Sequence, residues 1–160
     1  MNTPFDAAFK TPVGWIGLRV EHQHLRELVL LSASPDIRRP VDISSQRLIE
    51  HLQTLLYEYL ESGHWPQNLP LEPQGTDFQK RVWHGLLGIP QGQRKTYGDL
   101  AKQLNTSARA IGGACRANPI PLLIPCHRVV AARGDGGFAG HTSGHWMELK
   151  RWLLKRETDG

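Results

Sequence analysis

The sequence predicts an α+β fold: a small antiparallel sheet with helices toward the N-terminus, then a helical domain built around a helix-turn-helix. Three observations predict it. Ile16, Leu18 and Val20 alternate with Gly17, Arg19 and Glu21, the period of a half-buried strand. Leu48, Ile49, Leu52, Leu55, Leu56 and Tyr59 recur at spacings of 1, 3, 3, 1 and 3, which is one face of an α-helix. From Thr76 onward, residues that cap helices precede short apolar runs at helical spacing.

Taken in order, Phe5 to Lys10 reads as one strand and Ile16 to Val20 as another. His22-Gln23-His24 makes a polar turn into a further strand, whose inward set is either Leu28 and Leu30 or Val29 and Leu31. Asp42 caps the first helix and Gly63 ends it. Asn68 to Gly75, with two prolines, is a linker, so the expected domains are 1–73 and 74–160. Thr76 or Asp77 caps a helix carrying Phe78, Val82, Trp83, Leu86 and Leu87, stopped by Gly88 and Pro90. Thr96-Tyr97-Gly98-Asp99 resembles a capping box, and Leu100, Ala101 and Leu104 follow on one face. Asn105-Thr106-Ser107 turns into a helix from Ala108 to about Ala117, ended by Asn118-Pro119. Two short helices around such a turn read as a helix-turn-helix. A last helix spans about Trp146 to Arg156 and carries Met147, Leu149, Trp152, Leu153 and Leu154.

Composition narrows the class. The chain has 160 residues, 39% of them apolar, enough to fill a core. No apolar run approaches the roughly 18 residues that span a bilayer. The first residues lack the basic and apolar regions of a secretory signal, so a soluble, cytoplasmic protein without membrane partners is expected. The net charge is +4, and the stretch from Arg81 to Arg133 is rich in Lys and Arg with one acid, Asp99. That suits a polyanionic partner, whose condensed counterions such side chains displace. The two cysteines, Cys115 and Cys126, are too few for a disulfide scaffold and too isolated for a structural zinc site. No metal and no cofactor is expected.

On the helix from Ala108, residues Arg109, Gly112, Gly113 and Arg116 fall at i, i+3, i+4 and i+7 and share one face. Ala108, Ile111 and Cys115 fall on another, which looks like core. A mid-helix glycine costs about 1 kcal/mol relative to alanine. A face stripped of side chains lets another backbone approach: DNA between flanking arginines, or a packed helix. Cys126 follows the apolar run Leu122-Leu123-Ile124 and stands between Pro125 and His127. A free cysteine has a pKa of about 8.5, and its thiolate is the nucleophile. Apolar surroundings would silence it unless a base or cation intervenes, and His127 and Arg128 are the local candidates. Adjacent strand residues point to opposite faces, so His127 must act through water or a local turn.

These residues resemble the O6-alkylguanine-DNA alkyltransferases, also called methylated-DNA–protein-cysteine methyltransferases. The likeness runs from Gly75 to about Glu157. It includes Gly75-Thr76-Asp77-Phe78-Gln79, Thr96-Tyr97-Gly98-Asp99-Leu100-Ala101, Arg109-Ala110-Ile111-Gly112-Gly113-Ala114, Asn118-Pro119 and Ile124-Pro125-Cys126-His127-Arg128-Val129. The resemblance implies a ribonuclease-H-like N-terminal sheet and a winged-helix-like C-terminal domain. It implies DNA repair by transfer of the alkyl group from O6-alkylguanine in double-stranded DNA to Cys126, once per molecule, and leaves open whether O4-alkylthymine is a further substrate. His127 would act as base through a water, oriented by Glu157. Tyr97 would assist the leaving guanine, and Asn118 would brace the turn before the active-site strand. Thr96, Tyr97, Arg109, Gly112, Gly113, Arg116 and Arg128 would meet DNA, with Arg109 filling the gap of the flipped nucleotide. Backbone groups of Cys126 and Val129, with the loop Phe138-Ala139-Gly140, would form the pocket. Ala139 stands where some relatives have serine, and the stretch 141–146 is longer than in many. The protein would be a monomer, able to self-associate on DNA.

Other classes leave different marks. His141, His145 and Cys126 could hold a metal, but Gly144 weakens helical geometry between the histidines. A binding-only module would lack the cysteine. A cysteine hydrolase would turn over many times.

Overall fold

The computed structural model describes residues 4–38, 42–133, 136 and 145–159. The chain divides into two compact units, Met1–Gln74 and Gly75–Gly160. In the first, β1 (Ala7–Thr11), β2 (Gly14–Glu21) and β3 (His24–Leu31) form an antiparallel sheet in the order β1-β2-β3. The turn from β2 to β3 is tight. His22 and Gln23 both have positive φ, 52° and 64°, the mirror-image turn that suits the strand twist.

Of the two expected inward sets of β3, the chain follows Leu28 and Leu30, which stand opposite the buried Leu18 and Ile16; Leu28 is buried and Leu30 half-buried. Leu25, three residues before Leu28, is buried on the same side, and the cause is a bulge. Arg19 pairs with Glu27 but Val20 pairs with Leu25, so Arg26 is an extra residue and the alternation changes parity across it. Alternation read along a strand assumes an unbroken register, so a bulge defeats it.

Asp42 caps α1 (Ile43–Ser62), its Oδ2 accepting the Ser45 amide at 2.9 Å. Gly63 ends it in the left-handed region at φ 83°, donating its N–H to the Tyr59 carbonyl. Ile49, Leu52, Leu56, Tyr59 and Leu60 are buried and complete the core formed by Phe9, Ile16, Leu18, Leu25 and Leu28. The expected linker is partly structured. Leu25 donates to the Pro70 carbonyl at 2.8 Å and accepts from the Glu72 amide at 2.9 Å, so this segment runs along the edge of β3. Prolines are tolerated at an edge because no ladder donor is lost there.

The second unit opens with α2 (Asp77–Leu87). Thr76 caps it in a full capping box with Gln79. Its buried residues are Val82, Trp83 and Leu86, and the Trp83 indole donates to the Ala114 carbonyl at 2.8 Å. A two-residue strand, β4 (Lys95–Thr96), leads into α3 (Tyr97–Gln103), with Thr96 capping through the Asp99 amide. Asn105 turns the chain at φ 54°, and Ser107 caps α4 (Ala108–Arg116). Its buried residues are Ile111 and Ala114, whereas Ala108 is exposed and Cys115 half-buried. The expected core stripe is therefore rotated by about one residue. α3 and α4 pack against each other, as do α2 and α4.

Residues Cys126–Arg128 form one 3-10 turn, not part of a strand. β5 (Val129–Val130) follows and pairs in parallel with β4, Lys95 opposite Val129 and Thr96 opposite Val130. The last helix, α5 (His145–Asp159), is longer than expected at both ends. Among the described residues no helix is long and apolar enough to cross a membrane.

Candidate active site

The 3-10 turn decides where three consecutive side chains go. At about three residues per turn, neighbours step by roughly a third of a circle. Pro125 precedes the turn, Cys126 donates its amide to the Ile124 carbonyl at 2.8 Å, and Arg128 donates to Pro125 at 3.0 Å. His127 and Arg128 can then both reach one carboxylate while Cys126 points elsewhere. That carboxylate is Glu157 of α5. Its Oε2 lies 3.0 Å from His127 Nε2 and accepts from Arg128 Nη2 at 2.7 Å, and its Oε1 accepts from Arg128 Nε at 3.0 Å. Arg128 also donates to the Ile89 carbonyl at 2.7 Å. The local turn, one of the two ways left open for His127, is what the chain adopts.

Arg128 corrects an expectation. It is 0% exposed and its guanidinium is bonded to Glu157 and Ile89, so it does not present a surface to DNA. Its work is structural. A buried carboxylate needs a matched, well-bonded cation, and the planar guanidinium supplies two parallel bonds.

Electrostatics in this cluster follow from burial. For Glu157, burial alone would raise the carboxyl, but hydrogen bonds from His127 and Arg128 and their charges outweigh it and bring it down to about 2. Burial pushes His127 below its ordinary 6.5, opposed by Glu157 and assisted by Arg128 and Lys150. A neutral imidazole therefore donates Nε2–H to an ionised Glu157, and base chemistry falls to Nδ1. Cys126 is 6% exposed, and burial raises its thiol above the ordinary range. A hydrogen bond from Asn118 and the charge of Lys150 oppose that rise.

Asn118 holds the approach to this turn. Its Nδ2 donates to the Ile124 carbonyl at 2.9 Å, and its Oδ1 accepts the Ile120 amide at 2.9 Å. Tyr97, half-buried at the head of α3, is brought near the turn because β4 pairs with β5. Gly136 lies against its ring: a Cβ there would come within 2.8 Å of it, at a φ of 75°. Val129 is buried, and its carbonyl accepts the Lys150 ammonium at 2.8 Å.

On α4, Arg109, Gly113 and Arg116 are exposed and Gly112 is half-buried. A Cβ on Gly112 or Gly113 would find nothing within 4 Å among the described residues, so these glycines accommodate no neighbouring helix of their own unit. Thr96 is half-buried, its hydroxyl taken by the cap. Phe138, Ala139, Gly140 and His141 lie outside the described residues. Cys115 is half-buried, and burial, with the nearby Cys126, holds its thiol up at about 12.

Sequence reasoning missed Lys150. A signal was present: Met147, Lys150, Leu153 or Leu154, and Glu157 fall at helical spacing on one stripe, so two charges stand on the apolar face of α5.

The chain is similar to known proteins over most of its length. The family model for the DNA binding domain of 6-O-methylguanine DNA methyltransferase matches residues 77–159. The methylated-DNA–protein-cysteine methyltransferase of Methanosarcina acetivorans is 33% identical over 154 residues, covering 94% of this chain and 96% of the relative. That of Methanosarcina barkeri is 36% identical over 151 residues, covering 92% and 93%. Among solved structures, Mycobacterium tuberculosis OGT in complex with DNA superposes with a TM-score of 0.76 at 31% identity, covering 94% of this chain and 91% of that one.

Proposed function

Because this chain belongs to the 6-O-methylguanine DNA methyltransferase family, we propose that it repairs O6-alkylguanine in double-stranded DNA by taking the alkyl group onto Cys126. The observation that carries this reading is the 3-10 turn, which sets Cys126 beside a neutral His127 that Glu157 holds at 3.0 Å.

The chemistry follows from that arrangement. O6 of guanine is enclosed in the base stack, so attack in line with its alkyl carbon requires the base to be flipped out. Arg109, exposed on α4, fills the vacated space. The open surface at Gly112 and Gly113 lets the backbone of α4 approach DNA closely, and Arg116 and Thr96 meet phosphates. His127 Nδ1 takes the thiol proton through a water. The Cys126 thiolate attacks the alkyl carbon; the S–C bond forms as the C–O6 bond breaks. The electron pair stays on guanine, which is protonated with help from the Tyr97 hydroxyl. Asn118 steadies the thiolate. Backbone groups of Cys126 and Val129 and the loop 138–140 hold the base. The thioether has no route back to a thiol, so each molecule acts once. The second unit carries the DNA-binding and acceptor roles, with winged-helix-like topology, and the first unit is ribonuclease-H-like. The protein works in the cytoplasm as a monomer that can cluster on DNA.

The test mixes the full chain with duplex DNA containing O6-methylguanine. Peptide mass spectrometry should find one methyl group on the Cys126 peptide and restored guanine, with no release of free product beyond one equivalent. An adduct on Cys115, no adduct, or multiple turnover would overturn the reading. O4-methylthymine duplexes tested alongside decide the substrate range.

A further inference from the structure

We propose that Trp83 is a positioning residue for the reaction at Cys126: its indole N–H takes the Ala114 carbonyl, ends α4 one residue early, and so sets Asn118 outside the helix, where its side chain holds the turn that carries the thiol. The inference rests on Cys126 being the nucleophile.

A helix carbonyl ordinarily accepts from the amide four residues on. For Ala114 that amide belongs to Asn118. Instead the Ala114 carbonyl accepts from Trp83 Nε1 at 2.8 Å, and the Asn118 amide donates to the Cys115 carbonyl at 3.2 Å. Ala117, whose N–H reaches the Gly113 carbonyl at 3.1 Å, therefore caps α4. Pro119 sets only an outer limit. It has no N–H and disfavours helical geometry at the residue before it, yet a cap at Asn118 would still donate to Ala114. With the indole on that carbonyl, the earlier end is the one the chain adopts. The ring is fixed in place: Trp83 is buried, and a Cβ on Gly75 would lie 2.5 Å from its Cη2. A buried indole N–H needs an acceptor, and phenylalanine would fill much of the same space without that demand.

One residue matters here because each helical residue turns the chain by about 100° and advances it about 1.5 Å. Asn118 spans two points of the segment that follows. Its Oδ1 accepts the Ile120 amide and its Nδ2 donates to the Ile124 carbonyl, both at 2.9 Å. The Ile124 carbonyl also accepts the Cys126 amide at 2.8 Å. A path of hydrogen bonds thus runs from the indole of α2, through the end of α4 and the Asn118 side chain, to the peptide of the nucleophile. Asn118 moved by one helical step loses both anchors. The same carboxamide gives the hydrogen bond that favours the Cys126 thiolate, so its displacement reaches the sulfur.

The experiment needs no DNA. The rate of Cys126 carbamidomethylation by iodoacetamide is followed from pH 5 to 10 by intact-mass and peptide analysis on the full chain. The ionisable groups on the elements around Cys126 are His127 and Arg128 of its own turn, Lys150 and Glu157 of α5, Cys115 of α4 and Tyr97 of α3, and every variant keeps them all. Trp83→Phe should move the midpoint up by about one pH unit, slowing reaction near neutral pH about tenfold, with rates converging at high pH. Asn118→Ala should move it at least as far. Trp83→Phe combined with Asn118→Ala should move it no further than Asn118→Ala alone, because both act through one path. Additive shifts, an unchanged midpoint in Trp83→Phe, or slowing equal at every pH overturns the proposal. A second measurement does not depend on those variants folding. With 5-fluorotryptophan placed at position 83 alone, its ¹⁹F resonance should titrate at the Cys126 midpoint, and that inflection should vanish in Cys126→Ala. A spectrum without it also overturns the proposal. Failure of methyl transfer from DNA would count against the repair reading and leave this result standing.

Discussion

Arg109 and Arg128 separate what an arginine near a nucleophile can do. Arg109 is exposed on α4, and Arg128 is buried with bonds to Glu157 and Ile89. Removing one partner of a buried, bonded ion pair strands the other, at about 3–5 kcal/mol. Arg128→Met should therefore lower folding stability by about 3–5 kcal/mol in urea denaturation. Arg109→Ala should change stability by less than about 0.5 kcal/mol yet slow methyl transfer from duplex DNA tenfold or more. Equal loss of stability in the two variants would remove the distinction. The thiols also differ in their surroundings: burial raises both, and at Cys126 a hydrogen bond from Asn118 opposes that rise.

At the scale of elements, α4 keeps two glycines where alanine would make a better helix. Neither makes room for another described part of the second unit, because a Cβ at either finds nothing within 4 Å among the described residues. Gly112→Ala should consequently raise stability by about 0.5–1 kcal/mol while weakening binding to duplex DNA, read by urea midpoint and fluorescence anisotropy. Lower stability with unchanged affinity would mean that the face packs against protein. The turn at Cys126–Arg128 shows why so short an element matters. One residue more or less would swing His127 or Arg128 off Glu157, since each position rotates the side chain by about a third of a turn. The pairing of β4 with β5, two residues a side, fixes the head of α3 to the exit of that turn.

For the whole molecule, the buried cluster ties stability to pH. His127 lies below its ordinary 6.5 and Glu157 at about 2 against 4.5. Below each ordinary value the unfolded chain takes up a proton that the folded protein resists, so acid favours unfolding. Stability should be level between about pH 6.5 and 9, decline below 6.5, and fall most between 4.5 and about 2, where Glu157 contributes ~3 kcal/mol; above 9 the raised thiols of Cys115 and Cys126 make it decline again. Thermal unfolding of the parent and of Glu157→Gln across this range checks the assignment: the variant should start less stable and show a flatter acid limb. An identical acid limb in both would move the linkage to other groups.

Local chemistry settled much of this protein before any coordinates. The capping signals at Asp42, Thr76, Thr96 and Ser107 each mark a helix start that the chain uses, because a cap is a contact between near neighbours. The motif around Cys126 likewise identified the family. Tertiary structure alone decided the rest. It added Leu25 to the inward face of β3 through one bulge, turned the expected active-site strand into a 3-10 turn, and moved Arg128 from surface to core. It also carried Lys150 and Glu157, more than twenty residues along the chain, to the turn that holds Cys126 and His127. Whether a charged side chain is buried depends on what packs over it, and that is a property of distant segments meeting, which no local run of sequence contains.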